Sequence, residues 1–127
     1  MKPDFNNLKI KISDEKFAVM RSRRVYTDAF ANIKDNGEIT VIIGQNKVND
    51  YDIIEIEKDF RLITFETVLG LNLVGFVAKI SEVLANENIS IFVLSSYFTD
   101  HIFVKEQDLN KAVEALKKLG IKIDRGY

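Results

Sequence analysis

Phe60-Arg61-Leu62-Ile63-Thr64-Phe65-Glu66 is a run of β-branched and aromatic residues that reads as a strand, and it leads into Leu69-Gly70-Leu71-Asn72. Beyond it, Leu73, Phe76, Val77, Ile80, Val83 and Leu84 recur at helical spacing, with Lys79, Glu82, Asn86 and Glu87 on the opposite face. Asn72 is a suitable N-cap for that helix. Two further strands follow, Ile89 to Ser96 and Thr99 to Lys105, around Tyr97-Phe98. A second helix carries Leu109, Ala112, Val113, Leu116 and Leu119 on one stripe, with Glu106 and Asp108 near its start, Lys117 and Lys118 near its end, and Gly120 as its stop. Ile121-Lys122-Ile123 closes the series as a short strand. The order β-α-β-β-α-β is the ferredoxin-like arrangement.

Working outward, the first half repeats that order with its helices missing. Leu8, Ile10 and Ile12 alternate with Lys9 and Lys11, a half-buried or edge strand, and a turn is expected at Ser13-Asp14-Glu15. Strands are then expected at 17–21, 29–34, 38–43 and 53–57. Asp35-Asn36-Gly37-Glu38 supplies the Asn-Gly pair that tight hairpins demand. The connectors Ser22 to Asp28 and Gly44 to Asp52 lack a 3.6-residue repeat and are too short for more than a turn or two of helix. The expectation is therefore an α+β chain of two ferredoxin-like units, the first, residues 1–58, with its helices reduced to short turns, and the second, 59–127, complete. An unrelated β-meander is the other reading of the first half.

Length and composition bound the rest. The 127 residues fit one compact assembly that needs no staple to fold, and no Pro- or Ser-rich linker separates the halves. With no Cys, thiol nucleophiles, iron–sulfur clusters and cysteine-ligated zinc are excluded, and a single His leaves little for metal or acid–base chemistry. No cofactor or metal is expected. Eighteen Lys and Arg against 19 Asp and Glu give a net charge of −1, which supplies no general field for a nucleic acid. The longest apolar runs fall far short of a membrane span, and the first residues lack a secretion signal, so the chain reads as cytoplasmic.

Three chemical motifs fail on inspection. Asp100 and His101 are strand neighbours whose side chains leave opposite faces, so with Ser95 or Ser96 they cannot form a nucleophilic triad; His101 reads as a strand residue on the outer face beside Phe103 and Lys105. Gly70 to Gly75 has phosphate-loop glycine spacing, but Phe76 and Val77 replace the required Lys and Ser or Thr. Those glycines either clear space for a carboxylate at a helix N-terminus or pack the helix tightly on the sheet. The third strand of the second half, Thr99 to Lys105, lacks the aromatic pattern of RNA-recognition modules.

The stretch Ile89-Ser90-Ile91-Phe92-Val93-Leu94-Ser95-Ser96-Tyr97-Phe98-Thr99-Asp100-His101-Ile102-Phe103-Val104-Lys105-Glu106-Gln107-Asp108-Leu109 resembles the corresponding segment of small tandem ACT-domain proteins. The resemblance is clearest from Phe60 to Leu119. ACT domains are amino-acid-sensing modules, and the eukaryotic cytosolic arginine sensors resemble two such chains joined. The resemblance implies a non-catalytic regulatory homodimer that binds a free amino acid where ACT units meet and signals to a protein partner. It also implies a site formed by Leu69, Gly70, Leu71, Asn72, Leu73 and Val74 in the loop and by Ser95, Ser96, Thr99 and Asp100 in the hairpin. Asp100 would take the ligand's cationic group; otherwise it is a turn-end carboxylate bonded to local backbone. Many relatives carry an acidic residue where this chain has Gly70, which argues against a basic ligand and for a neutral or apolar amino acid, or for a lost site. A structural or protein-interaction module with a vestigial site is the alternative.

Overall fold

The computed structural model describes residues 5–66 and 75–124. In chain order it contains β1 (Lys9–Ser22), β2 (Ala31–Asp35), β3 (Glu38–Gly44), β4 (Ile53–Glu66), α1 (Phe76–Asn86), β5 (Phe92–Ser95), β6 (Asp100–Lys105), α2 (Leu109–Lys117) and β7 (Lys122–Asp124). Short 3-10 turns occupy Gln45–Lys47, Asp50–Asp52 and Glu106–Asp108. The chain divides into two compact units, one made of Met1–Ser13 and Arg61–Tyr127, the other of Asp14–Phe60. Both boundaries fall inside long strands, β1 and β4, so Lys9 to Ser13 group with the C-terminal half, in place of a single division between residues 58 and 59.

In the unit Asp14–Phe60 the strands lie in the order β4-β1-β3-β2. Numbered along the chain, that is 4-1-3-2, the order of a ferredoxin-like sheet. β1 and β3 pair antiparallel from Phe17↔Gly44 to Ser22↔Ile39, and β2 and β3 from Ala31↔Ile42 to Asp35↔Glu38. Asn36 and Gly37 close the hairpin with φ of 50° and 80°. Positive φ at both central positions is the type I′ geometry that matches strand twist, as the Asn-Gly pair led one to expect. Where helices would cover the sheet, the connectors supply Tyr26, Ala29 and Val48, which pack with Met20, Val41 and Ile43.

The other unit has the order β7-β1-β4-β6-β5, again 4-1-3-2 but with Lys9 to Ser13 of β1 inserted between its fourth and first strands. β7 pairs with β1 in parallel, Lys9↔Lys122 to Lys11↔Asp124, and β5 with β6 antiparallel, Phe92↔Phe103 to Ser95↔Asp100. Ile10, Ile63, Phe65, Ile102 and Val104 form the sheet side of the core, and Phe76, Ile80 and Leu84 of α1 with Ala112, Ala115 and Leu116 of α2 form the helix side. The 3.6-residue spacing of those positions brings both helices to one face of the sheet. Phe65 and Phe76 meet edge to face, with ring centroids 5.1 Å apart.

Several local expectations change. The turn expected at Ser13-Asp14-Glu15 is absent, and β1 runs through it: no residue there has positive φ, and Arg61 Nε and Nη2 donate to the Ser13 carbonyl at 3.2 and 2.8 Å. The separate strands expected around 53–57 and 60–66 are one strand, β4. Its polar middle is accommodated by Asp59, which adopts φ 67°, and by Gln45, whose Oε1 accepts from the Asp59 N–H at 2.7 Å and whose Nε2 donates to Asp59 Oδ1 at 3.1 Å. Asn72, expected to cap α1, lies outside the described residues. Gly75, expected within the first helical turn, is the residue before it and has φ 78°. Among the described residues nothing lies within 4 Å of a Cβ built there, so the glycine serves backbone conformation, not close packing. Val77 stands off the apolar stripe at 41% exposure.

Candidate functional site

The β5–β6 hairpin gathers four of the residues singled out from the sequence. Ser95 and Asp100 form its last register pair, and the Ser95 hydroxyl donates to Asp100 Oδ1 at 2.5 Å. Ser96 N–H donates to the Thr99 carbonyl at 2.8 Å, and Ser96 Oγ donates to the same oxygen at 3.1 Å. These bonds close a tight turn whose tip, Tyr97 and Phe98, is 76% and 73% exposed, the two rings meeting at 4.6 Å. Of the remaining candidates, Leu69, Gly70, Leu71, Asn72, Leu73 and Val74 lie outside the described residues.

Strand alternation places Asp100 on the same side as Ile102 and Val104, the side that α1 covers. There the half-buried Asp100 borders a cleft between α1 and the β5–β6 edge, lined by Phe76, Val77, Ile80 and Ser81 on one wall and by Ile91, Val93, Asp100 and Ile102 on the other. The enclosed space is about 10 Å³, room for about one water molecule. One carboxylate beside an apolar cleft can hold a single cationic group, and its charge is steadied by a hydroxyl rather than by a second charge. The helix residues that form the far wall carried a sequence signal, the stripe Phe76, Val77 and Ile80, which read as core.

His101 shares its face of β6 with Phe103, and both are buried. Its Nδ1 lies 2.9 Å from Thr64 Oγ1 on β4. Burial pushes the imidazole below its ordinary pKa, while the Asp100 carboxylate acts in the opposite sense. No arrangement of Asp100 and His101 as an acid–base pair is formed by these bonds. Among the described residues no cluster of three or more His, Asp or Glu is placed to hold a metal ion.

The family-model comparison matches an ACT domain over residues 55–118. The chain belongs to the ACT-domain family. Among solved structures, this ACT protein is similar to an Agobacterium tumefaciens protein, at TM-score 0.81 and 19% identity, with 94% of each chain covered. A Vibrio cholerae protein of unknown function, described as a possible transport protein, superposes at TM-score 0.76 and 21% identity, over 92% of this chain and 93% of that one. The ligand-free regulatory subunit of Thermus thermophilus aspartate kinase superposes at TM-score 0.66 and 9% identity, over 87% and 95%. At these identities the likeness concerns the fold. No curated protein matches the chain.

A second cluster, which the sequence did not disclose, joins the two connectors of the Asp14–Phe60 unit. Buried Tyr26 donates its hydroxyl to Asp52 Oδ2 at 2.8 Å, Arg24 Nε donates to the same oxygen at 2.7 Å, and the Arg24 guanidinium stacks 3.8 Å from the Tyr26 ring centroid. Asn32 Oδ1 accepts from the Tyr26 N–H and its amide donates to the Tyr26 carbonyl, at 2.9 and 2.8 Å. Burial and the bond to Asp52 push the Tyr26 hydroxyl up, and the bonds from Tyr26 and Arg24 hold the Asp52 carboxyl below the usual range. The polar groups satisfy one another, so the cluster fastens connectors that hold no α-helix. An aromatic residue alone in a polar connector was its sequence signal. No described helix is long and apolar enough to cross a membrane.

Proposed function

We propose that this ACT protein is a non-catalytic regulatory module that binds a free amino acid, with Asp100 taking the α-ammonium group and the apolar cleft receiving a small neutral side chain. The observation that carries the reading is Asp100, half-buried at the edge of that apolar cleft, with its carboxylate oriented by the Ser95 hydroxyl. Membership of a family of amino-acid-sensing modules supports it, as does the fold shared with a regulatory subunit of aspartate kinase. Opening the cleft beyond one water volume is part of binding. A second copy of the chain completes the site in a homodimer, so ligand and association strengthen one another by the same factor. The occupied form is what a protein partner reads, in the cytoplasm.

Thermal denaturation with each of the twenty amino acids at millimolar concentration tests the reading. A ligand at about 100 times its dissociation constant adds about 2.7 kcal/mol and moves the midpoint by several degrees. Selective shifts lost in Asp100→Ala support sensing. Flat curves throughout favour a second reading, a protein-interaction module with a vestigial site, for which the nearly closed cleft and the exposed Tyr97–Phe98 pair speak.

A further inference from the structure

Phe76, Ile80 and Leu84 form the buried stripe of α1, and Val77 and Ser81, four residues apart, form the flank beside it. Both flank residues border the cleft between α1 and the β5–β6 edge. Ser81 is half-buried there, as is Asp100 on the facing wall. His101 also borders this space, but strand alternation turns its ring to the other face of β6, where Thr64 Oγ1 holds it at 2.9 Å. Among the described residues of the lining, Ser81 and Asp100 are therefore the polar side chains on the cleft's side of the sheet, and the rest of that side is apolar.

We propose that Ser81 is a specificity-determining residue of this site, and that the amino acid it selects carries a side-chain hydroxyl, as serine and threonine do. The inference rests on the ammonium-binding reading of Asp100 given above and names the side chain that accompanies the ammonium. The enclosed space is about 10 Å³, so a ligand that enters it meets both walls at once. With its ammonium on Asp100, a small amino acid spans toward α1, where Ser81 is the polar group within the lining.

A serine hydroxyl has one proton to give and two lone pairs with which to accept. In a helix the proton can return to the carbonyl four residues back, here that of Val77, and the oxygen still accepts from a ligand hydroxyl. Water fills that role while the cleft is open to solvent. A methyl group laid over Ser81 expels the water and offers nothing in return, whereas a hydroxyl replaces it. A wholly apolar pocket discriminates only weakly between side chains that differ by a hydroxyl in place of a methyl; a site that pairs the hydroxyl rejects the analogue lacking it. Asp100 does not supply this discrimination. Its Oδ1 already accepts from Ser95, and its charge serves the ammonium that all amino acids share.

Isothermal titration of the full chain with threonine and valine, which share a shape, and with serine and alanine tests the inference. Threonine is expected to bind about tenfold more tightly than valine, and serine than alanine. In Ser81→Ala, a substitution that favours the helix, both preferences are expected to fall to near parity. The ratio of two affinities within one protein cancels any change in stability, so it reports hydroxyl recognition and not a structural role. Equal binding within each pair by the unchanged chain overturns the inference and leaves the Asp100 reading standing. A preference that survives in Ser81→Ala also overturns it, because the hydroxyl's partner then lies elsewhere. If none of the four binds, the inference fails, and the remaining amino acids decide the Asp100 reading: it stands if one of them binds in a manner lost in Asp100→Ala, and it fails if none does.

Discussion

Ser95 and Asp100 face each other as the last pair of the β5–β6 ladder, and the hydroxyl of the first donates to the carboxylate of the second at 2.5 Å. The pair turns a hairpin end into a half-buried negative charge with a defined orientation. Removing the hydroxyl in Ser95→Ala keeps the charge but frees its direction. The expected cost to stability in urea titration is below about 1 kcal/mol, since one partner is exposed. A loss of several kcal/mol would mean that the pair holds the hairpin itself.

Tyr26→Phe removes one hydroxyl from the cluster that fastens the connectors. A bond to a charged group that is lost from a buried tyrosine costs about 1–3 kcal/mol, read as a lower urea midpoint at unchanged slope. The pH dependence has two signs. Tyr26 is held above its ordinary value of about 10, so its contribution is complete below that pH and is lost as pH rises through the folded value. Asp52 is held below its ordinary value, so its contribution is present above about pH 4 and is lost as pH falls through the folded value. Both dependences are expected to weaken in the variant.

His101 predicts a third pH effect. Its folded pKa lies below the ordinary value of about 6.5, so between the two the unfolded chain binds more protons, and stability falls as pH drops through that window. His101→Gln is expected to flatten the denaturation midpoint between about pH 7 and pH 5 relative to the unchanged protein. An equally steep fall in the variant would assign the effect elsewhere.

Leu84→Ala tests the packing of α1 on the sheet. The side chain is fully buried among both helices and the strands, and its truncation is expected to cost about 2–5 kcal/mol in chemical denaturation. Val77→Ala, at the second position of the same helix but 41% exposed, is expected to cost under about 1 kcal/mol.

What could be read from the sequence was local. Asn36-Gly37 announces its own hairpin because the backbone demands positive φ at both positions, and the stripes Phe76, Ile80, Leu84 and Ala112, Leu116 announce helices that bury one face. The hairpin candidates Ser95, Ser96, Thr99 and Asp100 meet because they are close in sequence. What could not be read was non-local or depended on a partner. The polar run Ser13 to Lys16 resembles a turn until Arg61 is placed on the Ser13 carbonyl, and β7 beside β1 joins residues more than a hundred positions apart. Thr64 against His101, and Tyr26 with Asp52, likewise depend on neighbours that spacing alone does not bring together.

Isothermal titration of the intact chain with the amino acid that gives the largest thermal shift, alongside Asp100→Ala, is the most direct test of Asp100 as the ammonium-binding group. Saturable binding to the unchanged chain, weakened at least about tenfold, some 1.4 kcal/mol, by the substitution, is the predicted result. Binding of equal strength to both proteins, or to neither, would contradict the account.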